Sequence, residues 1–142
     1  PAPVRQAVES SLPGFSPSSQ QVFEGGRKYK IDGSYRGHTG RVEVEMGAQG
    51  EVKEIEYDEN PGSKLTTGLE DCELADFPPV VLDHIQQLMG SESDQYQPYR
   101  VRRGKLRGET VFKTKGHTPD WKWEFEVMES GRLVELEKER PR

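Results

Sequence analysis

The sequence predicts an α+β fold of two tandem copies, each a helix packed on a four-stranded antiparallel sheet. Two observations predict it. The phrase "GHTGRVEVEMGAQGEVKEIE" at residues 37–56 is echoed by "GHTPDWKWEFEVMESGRLVELE" at 116–137, and a proline-led helical pattern precedes each phrase. A chain of 142 residues has the length of one domain or two small fused ones. The repetition favours the fused form.

Each copy begins with a short amphipathic helix pattern. In "PVRQAVESSLPGF" the apolar residues at helical spacing are Val4, Ala7, Val8 and Leu12. In "PPVVLDHIQQLMGS" the corresponding residues are Val81, His84, Ile85, Leu88 and Met89. Proline is tolerated in a first helical turn, and glycine commonly ends a helix. We therefore expect one helix at the start of each copy.

Four segments of alternating hydrophobicity follow each helix, separated by glycine-bearing turns. The first copy has "QQVFE", "KYKIDGSYR", "RVEVEM" and "EVKEIEYD"; the second has "QPYRVR", "KLRGETVFKTK", "WKWEFEVM" and "RLVELE". The turns fall at 25–26, 37–40, 47–50, 103–104, 116–120 and 129–131. The sequence therefore predicts one helix followed by four antiparallel strands in each copy.

Alternate residues of a strand point to opposite faces of its sheet, which predicts the buried face. The expected core residues are Val42, Val44, Met46, Trp121, Trp123, Phe125 and Val127. The residues expected on the other face, in water or against a partner, are Arg41, Glu43, Glu45, Lys122, Glu124 and Glu126. One apolar helix stripe and one apolar sheet face suffice for a core in each copy.

The predicted boundaries are 1–58 for the first repeat, 59–77 for a linker and 78–142 for the second repeat. The linker lacks helical or strand periodicity and is acidic around Cys72. Its apolar residues, Leu65, Leu69, Leu74 and Phe77, are available to pack across the seam between the repeats.

Composition excludes several classes of protein. Residues are 31% hydrophobic and 32% charged with net charge −5, and the regular apolar spacing indicates a thin core rather than disorder. No run approaches the roughly 18 apolar residues of a membrane span, and no stretch is typical of an export signal. Cys72 is alone, so an intramolecular disulfide and the zinc patterns that need paired cysteines are excluded. No cofactor and no metal site is predicted.

A proline-led helix followed by hairpins that end in a glycine-centred phrase resembles the PepSY-like family, here in tandem. The matching pieces are "PVRQAVESSLPGF", "YKIDG", "RVEVEMGAQGEVKEIEYD", "PPVVLDHIQQLMG" and "WKWEFEVMESGRLVELEKE". The arrangement is also similar to the fold of the beta-lactamase inhibitor protein, without its disulfides. The resemblance implies a non-catalytic module, periplasmic or secreted, that binds or inhibits a peptidase or another envelope protein. A structural or sensor module of a larger envelope protein is an alternative.

The strongest local excess of positive charge lies in "YRVRRGKLRGETVFKTK" at 99–115. A basic hairpin beside aromatic residues can bind nucleic acid. The simpler interpretation is that it balances acidic neighbouring strands, and the acidic chain disfavours nucleic acid as a partner. We therefore expect a protein partner. The candidate binding residues are Tyr99, Arg100, Arg102, Arg103, Lys105, Arg107, Lys122 and Glu124.

An enzymatic alternative would use His38 and His117, each in a "GHT" turn. Imidazoles can act as bases or metal ligands, so a small hydrolytic or metal-dependent enzyme would need these two to converge with carboxylates. The simpler interpretation is that they satisfy backbone groups in turns. No catalytic residue is predicted.

Overall fold

The strands of the chain form one continuous antiparallel sheet. The computed structural model describes residues 2–59 and 66–141. In these ranges the α-helices are α1 (Ala2–Ser11) and α2 (Pro79–Met89). The strands are β1 (Ser16–Phe23), β2 (Lys28–Tyr35), β3 (His38–Met46), β4 (Val52–Glu59), β5 (Thr67–Asp71), β6 (Gln97–Leu106), β7 (Glu109–His117), β8 (Lys122–Met128) and β9 (Leu133–Glu139). Their order in the sheet is β1-β2-β3-β4-β9-β8-β7-β6-β5.

The predicted fold class, with two separate helix-on-sheet copies, is wrong. The described residues form a single mostly β structure, with nine strands in one sheet and two α-helices. The joint is the pairing of β4 with β9, in which Tyr57 lies opposite Leu136. Two separate sheets would each leave the backbone groups of an edge strand unpaired, whereas joining them satisfies both edges.

Both predicted helices are present. Their buried residues include Val4 and Val8 of α1 and Val81, His84 and Ile85 of α2, and Leu12 is fully buried just after α1. With 10 and 11 residues, α1 and α2 are too short to cross a bilayer, and the described chain contains no other helix long and apolar enough to do so.

The helices share an apolar core with one face of the sheet. Val42, Val44 and Phe125 are completely buried there, as predicted, in a cluster that includes side chains from α1 and α2. Trp123 is also buried, whereas Trp121 precedes β8 and is only partly buried. The opposite face, called the open face below, carries the alternate residues of the strands.

The turn predicted at Arg103–Gly104 is wrong, because β6 continues to Leu106. The reversal occurs instead at Arg107 and Gly108, whose φ angles are 50° and 81°. Two positive φ angles are typical of the tight turns that match the twist of a hairpin. A Cβ atom on Gly104 would lie 2.8 Å from the Thr67 carbonyl oxygen, so this glycine permits the approach of β5.

Part of the predicted linker belongs to the sheet. β5 pairs with β6 at the sheet edge, and a short 3-10 helix follows at Leu74–Asp76. Phe77 is 3% exposed and packs on Phe112 with ring centroids 5.0 Å apart. Leu65 lies outside the described residues. The boundaries at 58 and 77 stay a prediction.

Glu59 is a fully buried carboxylate at the end of β4. It accepts hydrogen bonds from Arg132, which precedes β9, and from Arg107 Nη2 at 3.2 Å in the β6–β7 turn. A buried carboxylate is stable only when such partners replace its water. Glu59 therefore ties the end of β4 to two turns in the second half of the chain.

His84 makes a second buried connection between the halves. Its Nδ1 lies 2.7 Å from the Gly131 carbonyl oxygen, and its Nε2 lies 2.6 Å from the Tyr35 hydroxyl. A carbonyl can only accept, so Nδ1 carries the proton and Nε2 accepts from Tyr35. Burial lowers the pKa of His84, although the hydrogen bond to Gly131 raises it in part. The neutral imidazole therefore joins α2, β2 and the β8–β9 turn.

The Glu59→Gln variant should lower the free energy of unfolding by about 2–3 kcal/mol, less than for a fully buried ion pair because both arginines are partly exposed. The measurement is urea unfolding at pH 7. The control is Glu70→Gln, which removes an exposed pair with Arg103 and should cost about 0–1 kcal/mol. Equal losses in the two variants would contradict this role of Glu59.

His84 should make the fold less stable in acid. Because its folded pKa is lowered, the unfolded chain binds more protons, so the stabilisation is present above about pH 6.5 and is lost as pH falls. We expect the urea midpoint of the His84→Gln variant to change less between pH 7.5 and pH 5 than the midpoint of the parent chain. Identical pH slopes for the two proteins would show that His84 does not carry this dependence.

Candidate binding face

Three rows of charged side chains cross the open face, because directly opposed residues of neighbouring strands share a face. The first row is Asp32, Arg41, Asp58, Glu135, Glu126, Lys113, Arg102 and Asp71. The second is Lys30, Glu43, Glu56, Glu137, Glu124, Lys115 and Arg100. The third is Lys28, Glu45, Glu54, Glu139, Lys122 and His117.

The charges in these rows are segregated. All six positions contributed by the two central strands are acidic, and we call them the acidic band: Glu54, Glu56, Asp58, Glu135, Glu137 and Glu139. Cations lie on both sides of it, on β2 and β3 and on β6, β7 and β8: Lys28, Lys30, Arg41, Arg100, Arg102, Lys113, Lys115 and Lys122. The open face therefore has a negative centre, a margin of mixed charge on β2 and β3, and a mainly cationic margin on β6 and β7.

Burial and crowding raise the pKa values of three carboxyl groups in the acidic band, those of Glu54, Glu56 and Glu137. Several causes raise the pKa of Glu56 to about 9. Burial is the largest, and a hydrogen bond with Asp58 and repulsion from Asp58 come next in size. Burial is also the largest cause that raises the pKa of Glu137 to about 7, and repulsion from Glu124 and Glu54 comes next in size. Like charges directly opposite each other destabilise a sheet, and a retained proton relieves part of that repulsion. Glu56 therefore retains its proton to higher pH than a solvated glutamate does.

Ion pairs orient the flanking cations. Arg41 Nε lies 2.8 Å from Asp32 Oδ1, and Lys115 Nζ lies 3.0 Å from Glu124 Oε1. Burial opposes ionisation of Glu124, but its hydrogen bonds with Lys115 and Glu135 lower its pKa overall. Surface pairs of this kind contribute only about 0–1 kcal/mol to stability. Their main effect is to hold the side chains in a fixed pattern of charge.

Several predicted binding residues meet on the open face. Tyr99, at a register irregularity of β6, lines a depression of about 110 Å³ together with Lys122 and Glu124. Tyr99 is also one of the exposed large hydrophobic residues, with 58% of its surface accessible. Arg100 and Arg102 lie in the same rows, on β6. These five residues form one continuous surface.

The other three predicted residues lie elsewhere, because strand alternation divides the basic hairpin between two faces. Arg103 is on the helix side, where its Nε is 2.9 Å from Glu70 Oε1. Lys105 is on the same side and donates to Thr110 Oγ1 at 2.9 Å. Arg107 lies in the turn and binds Glu59.

The structure does not bring His38 and His117 together. His38 begins β3 and His117 ends β7, and these strands run in the same direction, so the imidazoles lie at opposite ends of the sheet. Among the described residues, the groups whose ligand atoms lie within 4.8 Å of one another are Glu54, Glu56 and Glu137, and Glu56, Asp58 and Glu135. Oxygen ligands of this kind suit Ca²⁺ or Mg²⁺.

Glu126 differs from its expected position in water. It lies on the open face but is only 1% exposed, and its Oε2 accepts from the Thr66 hydroxyl at 2.5 Å. A small apolar cluster lies at the same end of this face: Leu106, Val111, Met128 and Val134. The open face is therefore covered at the end nearest the β6–β7 turn.

The acidic band itself was not among the predicted binding residues. Its signal was present, because "EVKEIEYDE" and "LVELEKE" alternate acidic and apolar residues. The missing information was the pairing of β4 with β9, which places the two acidic strands side by side.

No protein family matches the chain, so the PepSY-like identification is not confirmed, and no curated protein matches it. Among solved structures it is similar to a DUF2874 family protein from Bacteroides uniformis, with 14% identity, a TM-score of 0.36 and coverage of 96% of this chain and 87% of that one. A BLIP-like protein from Bacteroides fragilis has 16% identity, a TM-score of 0.37 and coverage of 100% and 88%. A Bacteroides eggerthii protein provisionally described as periplasmic has 15% identity, a TM-score of 0.38 and coverage of 97% and 88%. Similarity at this level assigns no function to the chain.

The acidic band should make the protein less stable at high pH. Because the folded pKa of Glu56 is raised, the folded chain binds more protons than the unfolded chain between about pH 4.5 and pH 9, so stability falls as pH rises through this window. The free energy of unfolding of Glu56→Gln, taken relative to the parent chain, should therefore be about 1 kcal/mol higher at pH 9 than at pH 6. The difference is small because the face is open to water and salt. Urea unfolding at both values measures it. A gain independent of pH would contradict the assignment.

Proposed function

We propose that the chain is a non-catalytic interaction protein that binds another protein through the open face of its sheet. The observation that carries the proposal is the segregated charge of the three rows on a sheet face that neither helix covers. Carboxylates scattered for solubility would alternate with cations. Here they occupy every position that β4 and β9 contribute to the three rows and leave repulsion that a cationic partner would relieve.

The charge pattern defines the surface that a partner must present. Its central element must be cationic. The acidic band spans two strands, about 10 Å with its side chains, and Glu43, Glu45 and Glu124 extend it onto β3 and β8. Its margins must tolerate cations from β2, β3, β6 and β7. A uniformly basic surface is repelled by the cations of β6 and β7, and a nucleic-acid backbone is repelled by the centre.

The exposed ring of Tyr99 supplies an apolar contact beside a depression that is lined mainly by charged side chains. Exposed tyrosines frequently anchor protein interfaces because they bury a large area at a small entropic cost. We assign Tyr99, Arg100, Arg102, Lys122 and Glu124 to the interface. Arg103 and Lys105 lie on the helix side and Arg107 lies in the β6–β7 turn, so these three residues are outside the interface.

The resemblance to PepSY-like modules supports a peptidase or another envelope protein as the partner, in the periplasm or outside the cell. It does not select one of them. The charge pattern restricts the choice further, since the partner's contact surface must be basic at its centre.

Strand β6 offers a matched test of the face. The open-face variant Arg100→Glu/Arg102→Glu and the helix-side variant Arg103→Glu/Lys105→Glu change charge equally on one strand but on opposite faces. Each immobilised protein is exposed to native extract at fixed salt, and recovered proteins are quantified by mass spectrometry. We expect the open-face variant to recover at least tenfold less of a partner protein that the parent and the helix-side variant recover in equal amounts. Equal recovery by all three proteins, with folding verified by circular dichroism, would contradict the proposal.

A further inference from the structure

The edge strand β1 has an unusual surface for an exposed sheet edge. All eight of its residues, "SPSSQQVF", are exposed, and none of them is charged, although 32% of the chain is charged. Edge strands usually carry charges that prevent pairing with another chain. β1 therefore lacks the usual protection along its length.

The protection that β1 does have is limited to its start. Pro17 cannot donate a hydrogen bond, and the register shifts between Pro17 and Ser19. From Ser19 to Phe23 the strand is regular. The opposite edge, β5, is only five residues long, has an irregular register and bears Glu70 and Asp71. Of the two sheet edges, β1 is thus the one open to pairing.

An apolar groove lies beside β1 on the helix side. It has a volume of about 360 Å³, and its apolar lining comes from Val4, Val8, Phe15 and Ile31. Gln20 of β1 forms its lip and lies directly opposite Ile31. Two residues further along the same face, Val22 is 52% exposed.

We propose that a second copy of this chain pairs with β1, antiparallel across a two-fold axis at Gln21, to give one continuous sheet through both copies. Opposed residues of an antiparallel pair share a face. With Gln21 on the axis, Val22 of each copy lies opposite Gln20 of the other, at the lip of the apolar groove. Phe23, which is 40% exposed, lies opposite Ser19 on the open face.

This register makes β1 complementary to itself, as a two-fold interface requires. Each copy supplies an exposed valine and receives one beside its own groove, so no third component is needed to cover them. The unpaired backbone groups of the two edges are satisfied at the same time.

The charge of the chain does not oppose this contact. The net charge is −5, but β1 is neutral and the acidic band begins on β4, three strand spacings or about 14 Å away. The two acidic bands of a dimer would be about 30 Å apart, well beyond the screening length of about 8 Å at physiological salt. The dimer leaves the acidic bands uncovered, so this inference is independent of the proposed function.

The mass of the full chain in solution tests the proposal. Sedimentation velocity and light scattering from 1 to 200 µM should show a species of twice 16.1 kDa that increases with concentration. Val22→Lys should shift the dissociation constant upward by at least tenfold, because it places a charge at the pairing edge. The matched control is Val80→Lys on α2, where the parent valine is 49% exposed, and it should dimerise like the parent. A monomer throughout the range would overturn the proposal, as would equal loss in both variants.

Disulfide trapping tests the register. In a Cys72→Ser background, Gln21→Cys should form an intermolecular disulfide on mild oxidation, because opposed Cα atoms about 4.5–5.5 Å apart suit a disulfide. Gln86→Cys, exposed on α2, is the control and should stay largely monomeric. Equal yields of crosslinked dimer from the two variants would overturn the β1 pairing.

Discussion

The pairing of β4 with β9 is the interaction on which the rest of the structure depends. It converts two half-sheets with unprotected edges into one sheet, and it brings the helices onto a shared apolar core. The buried side chains of Glu59 and His84 then tie the same two halves through charge-assisted and neutral hydrogen bonds. Backbone pairing, packing and buried polar contacts thus act together at the joint.

The same pairing produces the electrostatics of the open face. β4 and β9 each alternate acidic and apolar residues, so the apolar sides that meet in the core force the acidic sides together on the other face. The apolar burial is worth far more than the repulsion costs, since a large buried side chain contributes about 1.5–3 kcal/mol. The fold therefore tolerates an acidic concentration that a partner can use.

Local sequence patterns predicted most elements but not their assembly. Both helices, the buried faces of β3 and β8 and the outward Lys122 and Glu124 followed from periodicity. The single sheet did not, because strand pairing between distant segments leaves no local signature. The turn at Arg107–Gly108 was missed because residues 99–115 contain two Arg-Gly dipeptides, and only the approach of β5 distinguishes Gly104 from Gly108. Because the turn was placed at Arg103 and Gly104, the prediction did not assign the basic residues on the two sides of that point to opposite faces of one strand.

The contact of Thr66 with Glu126 gives the open face a direction. One end of the strands is closed by this contact and by the dry cluster around Met128, while the end near His117 and Lys122 is free. A segment laid along the strands can extend past the free end but must stop at the closed one. The closed end therefore fixes how far along the strands a partner segment can reach, whichever way its chain runs.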